Sequence, residues 1–209
     1  MKMKVFFAMA CLMAITAGGC SALFPTSAPP MYYQIQVPLK SLQVCNSPKK
    51  EPLRIWPLDG PAPYDRNALV LMTSSHTVQV SSRHRWITNP GEMLAQAVTE
   101  AALQAQIFSV VNVPGSPGSV PELQLAGRIR EFAFHVDQEK TQAVLDVRII
   151  LWREAKPQII VFQKSYRVTE PAFKDASPEE LTETMSRAVA RWIQELMNDL
   201  CQASLNKVS

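Results

Sequence analysis

The sequence predicts an α+β domain, one mainly antiparallel sheet with two helices packed on one face. Three observations carry that expectation. Long runs of alternating apolar and polar residues follow one another between Glu122 and Val168. Two stretches of helical apolar spacing open on Asn89-Pro90-Gly91-Glu92 and Ser177-Pro178-Glu179-Glu180. Short strand-like runs fill the region before the first of these.

In chain order, the start is not part of the domain. Lys2 and Lys4 precede an apolar stretch, Val5 to Ala17, broken only by Thr16, and Ala17-Gly18-Gly19 leads into Cys20. The apolar run is shorter than the roughly 20 residues that span a bilayer, so residues 1–19 read as a secretory signal. Residues 20–31 are dense in Pro and Ser and read as an extended tether. The domain is expected over 32–209.

Tyr32 to Val37 alternates as a first strand, and Leu53 to Leu58 forms a second, with Pro57 placing its end or an edge there. Asp59 to Pro63 is a turn, and Ala68 to Met72 is a short apolar strand. Thr77 to Trp86 alternates, with Val78, Val80, His84 and Trp86 sharing one face. Asn89 then suits an N-cap, Pro90 the first helical position and Glu92 the third, as in a capping box. This helix is expected to reach about Ile107, with Leu94, Ala97, Val98, Ala101 and Ala105 facing inward.

Val110 to Val113 is a short strand, followed by the PGSPGS loop at 114–119. Three long strands come next, about Glu122–Val136, Ala143–Arg153 and Gln158–Val168. In the first, Leu123, Leu125 and Ile129 share one parity and Phe132 and Phe134 the other, which a bulge near Arg130 reconciles. In the second, Leu145, Val147, Ile149 and Leu151 face one way; in the third, Ile160, Phe162, Tyr166 and Val168 align. The short connections at 137–142 and 154–157 suit hairpins, hence a meander. Ser177 and Glu180 announce the last helix, whose apolar residues run at helical spacing from Leu181 to Leu200.

Composition narrows the function. Lys2 and Lys4 leave with residues 1–19, so 21 basic residues become 19 against 18 acidic ones. A net charge near +1 with no basic run gives no electrostatic case for nucleic acid. Three cysteines remain after cleavage: Cys20, Cys45 and Cys201. With Cys20 set aside at the head of the tether, the other two form an even pair in an oxidising compartment, which favours a disulfide closing about 155 residues. Two buried, unpaired thiols are the alternative. No GxxxxGK, HExxH, CxxC or GxSxG occurs. His76 and His84 share a strand parity but lie about 27 Å apart along it, and His135 is elsewhere, so no metal site is expected.

Two resemblances sharpen this. Cys20 after small residues resembles the lipobox of bacterial lipoproteins, which implies a covalent lipid on Cys20 and no other cofactor. Ser21, in place of an Asp, implies the outer membrane by enteric-type sorting, with the chain facing the periplasm. Then the order of features matters: a Tyr32-Tyr33 strand, the turn Pro61-Ala62-Pro63-Tyr64-Asp65-Arg66, His84-Arg85-Trp86 before a helix, long strands and a closing amphipathic helix. This resembles, over about Tyr32 to Leu200, the ABC-type transport auxiliary lipoproteins that partner MCE-protein lipid transport systems (the PqiC/YmbA-like group). The tyrosine stands one place from the family's usual position, and Leu94 follows Trp86 later than is typical.

The resemblance implies a noncatalytic component beside an MCE protein and its ABC transporter, in a homo-oligomeric ring. Candidate contact residues are Tyr64, Asp65, Arg66, Arg83, Arg85 and Trp86, though packing under the first helix is the favoured reading of Trp86 and a local pair with Asp65 the alternative for Arg66. An assembly or pilotin-type lipoprotein of another envelope machine is the alternative, and a periplasmic hydrolase a third reading.

Overall fold

The computed structural model describes residues 28–118, 120–137 and 140–205. Eight strands form one sheet: β1 (Met31–Tyr33), β2 (Leu53–Ile55), β3 (Ala68–Ser74), β4 (Thr77–Trp86), β5 (Val111–Asn112), β6 (Leu123–Val136), β7 (Thr141–Arg153) and β8 (Ile159–Ala172). Two helices, α1 (Pro90–Gln104) and α2 (Pro178–Gln202), lie against it and touch each other.

The sheet is mixed, which corrects the mainly antiparallel expectation. Strands β6, β7 and β8 do form an antiparallel meander, and β3 and β4 form a hairpin. But β1 runs parallel to β4, β2 to both β5 and β6, and β3 to β6. Because β7 pairs with β6 along its whole length, β2 and β3 share the other edge of β6. Leu53–Ile55 lies beside Leu123–Leu125, and Leu71–Met72 beside Phe134–His135. Hairpins announce themselves by their short loops, whereas a parallel neighbour arrives from far along the chain and leaves no local signal.

The bulge expected near Arg130 is present: the β6–β7 register shifts between Ile129 and Glu131. It lets Leu123, Leu125 and Ile129 before it, and Phe132 and Phe134 after it, reach the same core. A second shift, opposite Leu151 and Trp152 on β7, leaves Ile160 exposed, off the buried stripe of Tyr166 and Val168.

Pro57 does break the second strand, because it has no N–H to donate. Even so, the chain keeps following β6: Trp56 N–H donates to Leu125 O at 2.9 Å and Asp59 N–H to Gly127 O at 2.8 Å. The segment is thus internal, not an edge. The first strand is shorter than expected as well. After Tyr33 the chain leaves the sheet as a strap, its Val37, Leu39 and Leu42 packing on the core and Gln36 N–H donating to Ser186 on α2 at 3.2 Å.

Both helix starts follow their sequence signals. Asn89 Oδ1 accepts from Glu92 N–H at 3.0 Å, while the Glu92 carboxylate turns to the Thr88 hydroxyl instead of closing the box. At α2 the box is complete: Ser177 Oγ accepts from Glu180 N–H and Glu180 accepts from Ser177 N–H at 2.7 Å. Helix α1 stops at Gln104, three residues before the expected end, because Gln106 turns left-handed at φ 53°. Gly91 lets this helix start close to β2's continuation, since a Cβ there would sit 2.0 Å from Leu58 O.

Candidate functional site

Cys20 lies outside the described residues. Cys45 and Cys201 are joined by a disulfide, Cα to Cα 5.7 Å, between the end of the strap and the last turn of α2. Around it, Cys45 N–H donates to Ala105 O at 2.8 Å and Lys49 Nζ to Cys201 O at 2.8 Å.

The six candidate contact residues divide by burial. Trp86, 1% exposed, is a core residue, its ring 5.3 Å from that of Phe132 and 6.3 Å from that of Phe134. Tyr64, 8% exposed, is likewise inside. Burial first, then the nearby Glu131 carboxylate, push its phenol above the ordinary tyrosine value, against a backbone hydrogen bond from Phe132 at the bulge. Neither side chain is available to a partner, which corrects the place of Tyr64 among the contacts and agrees with the packing reading of Trp86. The reason is the curl of the sheet, which brings the 61–66 turn over the bulge and folds the end of β4 onto the core. Asp65, Arg66 and Arg83 are exposed and Arg85 half-buried. Arg66 pairs with its neighbour Asp65 at 3.3 Å, and Arg85 Nε donates to Ser82 O at 3.0 Å.

Two clusters were not anticipated from the sequence. On the face of β6–β8 away from the helices, Asp146 accepts from Arg130 at 2.7 Å and Arg167 at 3.0 Å. Arg167 also reaches Glu131 at 2.8 Å, and Glu131 meets His135. The bulge creates this cluster by turning Arg130 and Glu131 to the same side. Its carboxylates are spent on arginines, so it holds the bulge in place and offers no free base.

The second cluster lies where the tether enters. The Tyr33 hydroxyl donates to Glu179 at 3.0 Å and contacts His84 Nδ1 at 2.9 Å. Burial, followed by the bond to Glu179, raises the Tyr33 phenol. The Glu179 carboxyl is lowered, first by its own backbone N–H and then by Tyr33. Residues 32–36 and the first turns of α2 flank an open cleft of about 550 Å³ here, lined by polar side chains such as Gln34, Gln36 and Ser186.

Among the described residues, no group of three or more His, Cys, Asp or Glu could hold a metal ion. No described helix is long and apolar enough to cross a membrane.

The family model for ABC-type transport auxiliary lipoprotein components matches residues 33–196. A crystal structure of a protein from Xanthomonas campestris superposes with a TM-score of 0.66 at 16% identity, covering 80% of this chain and 92% of that one. A second crystal structure, of a protein described as uncharacterized, gives a TM-score of 0.62 at 13% identity over 83% of this chain and 99% of that one. At these identities the likeness is one of fold. No curated protein matches the sequence.

Proposed function

The chain belongs to the family of ABC-type transport auxiliary lipoprotein components, and from that premise we propose that it is a noncatalytic, lipid-anchored adaptor of an intermembrane lipid transport system. The single observation that carries this reading is the family match, which begins at Tyr33, just after the tether, and runs to within a turn and a half of the end of α2. In this reading, Cys20 carries the lipid and holds the domain at the outer membrane, on its periplasmic face. The domain docks an MCE-domain protein whose ABC transporter supplies the ATP-driven step.

The structure supports an adaptor better than a catalyst. Its clustered acids are paired with arginines, and its described histidines lie apart, His76 in the β3–β4 turn, His84 on β4 and His135 on β6. The exposed Asp65, Arg66 and Arg83 remain as charged docking candidates, where opposite charges on a partner set register and on-rate.

The test is co-purification of the lipidated, detergent-solubilised protein with an MCE-domain protein of the same cell. Co-elution that is weakened severalfold by Arg66→Glu with Arg83→Glu is expected. Absence of co-elution in wild type overturns the adaptor reading. Metabolic labelling with a fatty-acid probe checks the anchor separately: wild type should incorporate it and Cys20→Ala should not.

A further inference from the structure

We propose that the end of the sheet carrying the β3–β4 turn and the β8–α2 loop lies against the bilayer surface, with Phe173 as its principal apolar contact. This rests on the anchor at Cys20 proposed above. The strand directions place the features together. Strand β6 ends at Val136 opposite Thr141 of β7, and Thr141 pairs with Ala172 at the end of β8, so Phe173 follows at that same end. Strand β3 runs parallel to β6, with Met72 beside His135, so its turn into β4 at Ser75 and His76 projects there too.

The tether arrives pointing the same way. Strand β1 is parallel to β4, with Met31 beside His84, so chain upstream of Met31 leads back along β4 towards its start at Thr77. Counting rungs through β4, β3 and β6 puts Met31 about level with Phe132. From there this end of the sheet lies roughly 15 Å ahead and the opposite end roughly 30 Å behind, at about 3.3 Å per residue. Cys20 is eight residue steps from Ala28, a path of at most about 29 Å. The near end lies well within that reach, whereas the roughly 30 Å to the far end exceeds it.

The surface presented is what a lipid interface accepts. Phe173 is 79% exposed, followed by Lys174, and Val78 and Val80 stand 45% and 44% exposed on the β4 arm. Tyr32, 56% exposed, flanks the tether's entry. Aromatic rings favour the headgroup level, and lysine stems keep their charge in water beside them. Acidic side chains at the same end, Glu170, Asp175, Glu179 and Glu183, make the contact one of apolar insertion, not of net positive charge.

The experiment uses the soluble chain from Ser21 with an N-terminal His tag, held on nickel-chelating vesicles of phosphatidylethanolamine and phosphatidylglycerol. The tag replaces the lipid, so the outcome does not depend on whether Cys20 is acylated. With Cys45 and Cys201 bonded, a single cysteine can carry an environment-sensitive dye, either Lys174→Cys or, at the opposite end, Val120→Cys. Nitroxide-labelled lipid should quench the dye at 174 at least threefold more than at 120, and Phe173→Asp should remove most of that difference, with little change in raised salt. Equal quenching at both positions, or none at 174, overturns the proposal. So does a dye at 174 that responds to the co-purifying MCE protein and not to vesicles.

Discussion

Reducing the Cys45–Cys201 disulfide should cost the protein most of a typical domain's stability while leaving it folded at room temperature. The bond spans a sequence separation of 156. On the chain-entropy account, a closed loop of that length removes about 17 cal/mol/K from the unfolded chain, or roughly 5 kcal/mol at 25 °C. The native contacts around it survive reduction. Cys45 N–H keeps Ala105 O, and Lys49 keeps Cys201 O. The loss is therefore one of unfolded-state constraint, not of native packing. For a domain of this size each kcal/mol corresponds to about 2–4 °C, so Tm should fall by roughly 10–20 °C. The assay is urea and thermal unfolding by circular dichroism, comparing oxidised protein, protein in reductant, and the Cys45→Ser, Cys201→Ser double variant. The two thiol-free or reduced forms should agree, with unchanged far-ultraviolet spectra at 25 °C. A difference below about 1 kcal/mol between oxidised and reduced forms would falsify the reasoning, because the loop would then add no constraint.

Three further outcomes are expected. Trp86→Ala should destabilise by about 3–5 kcal/mol in urea titration, since it opens a cavity against Phe132 and Phe134. Gly91→Ala should cost about 1–3 kcal/mol, because the new Cβ meets the Leu58 carbonyl and α1 must lift from the sheet; the same assay checks it, and a neutral effect would show that the helix start yields freely. The Glu179 carboxyl, held low in the folded state, supports folding above the ordinary glutamate range and loses that support as pH falls through its lowered folded value; carboxyl NMR titration should find it low in wild type and moved part of the way up in Tyr33→Phe, since its own backbone N–H remains.

Much of the fold is local and was readable. Asn89 and Ser177 announce both helices because an oxygen accepting the orphan N–H at the third position is a short-range requirement. The parity switch between Ile129 and Phe132 demanded a bulge because β6 has to bury both sets. What escaped was non-local. Nothing around Leu53–Ile55 or Ala68–Ser74 says that both will lie parallel to β6, for that pairing is set by the whole chain's path. Val78 and Val80 carry a strand's alternation yet stay exposed, because β4 is an outer strand there: β1 pairs with it only at 84–86, so nothing beyond β4 covers them. The buried state of Tyr64 and the Arg130–Asp146–Arg167–Glu131 cluster share that origin. A bulge and a curled sheet move side chains between faces, and residue type alone does not show which face they reach. The strap is a further case: Ile35 and Val37 alternate as in a strand but spend their apolar faces on the helices.

The strap also shows how the domain would resist a pull through the tether if Cys20 anchors it as proposed. A load arriving through the tether meets the three-residue pairing of β1 with β4 first, a short ladder that opens at little cost. The Tyr33 bonds to His84 and Glu179 tie the same point to α2. Behind them the strap lies across the helices, and behind the strap stands a covalent bond from Cys45 to the end of α2. The sequence of restraints therefore strengthens from the tether inward, so a pull can peel the first residues without opening the core. A free thiol pair at 45 and 201 would leave that last restraint to the packing of Val37, Leu39 and Leu42 and to non-covalent bonds such as Cys45 N–H to Ala105 O and Lys49 to Cys201 O. Reduction should therefore loosen the strap in hydrogen exchange before it unfolds the sheet.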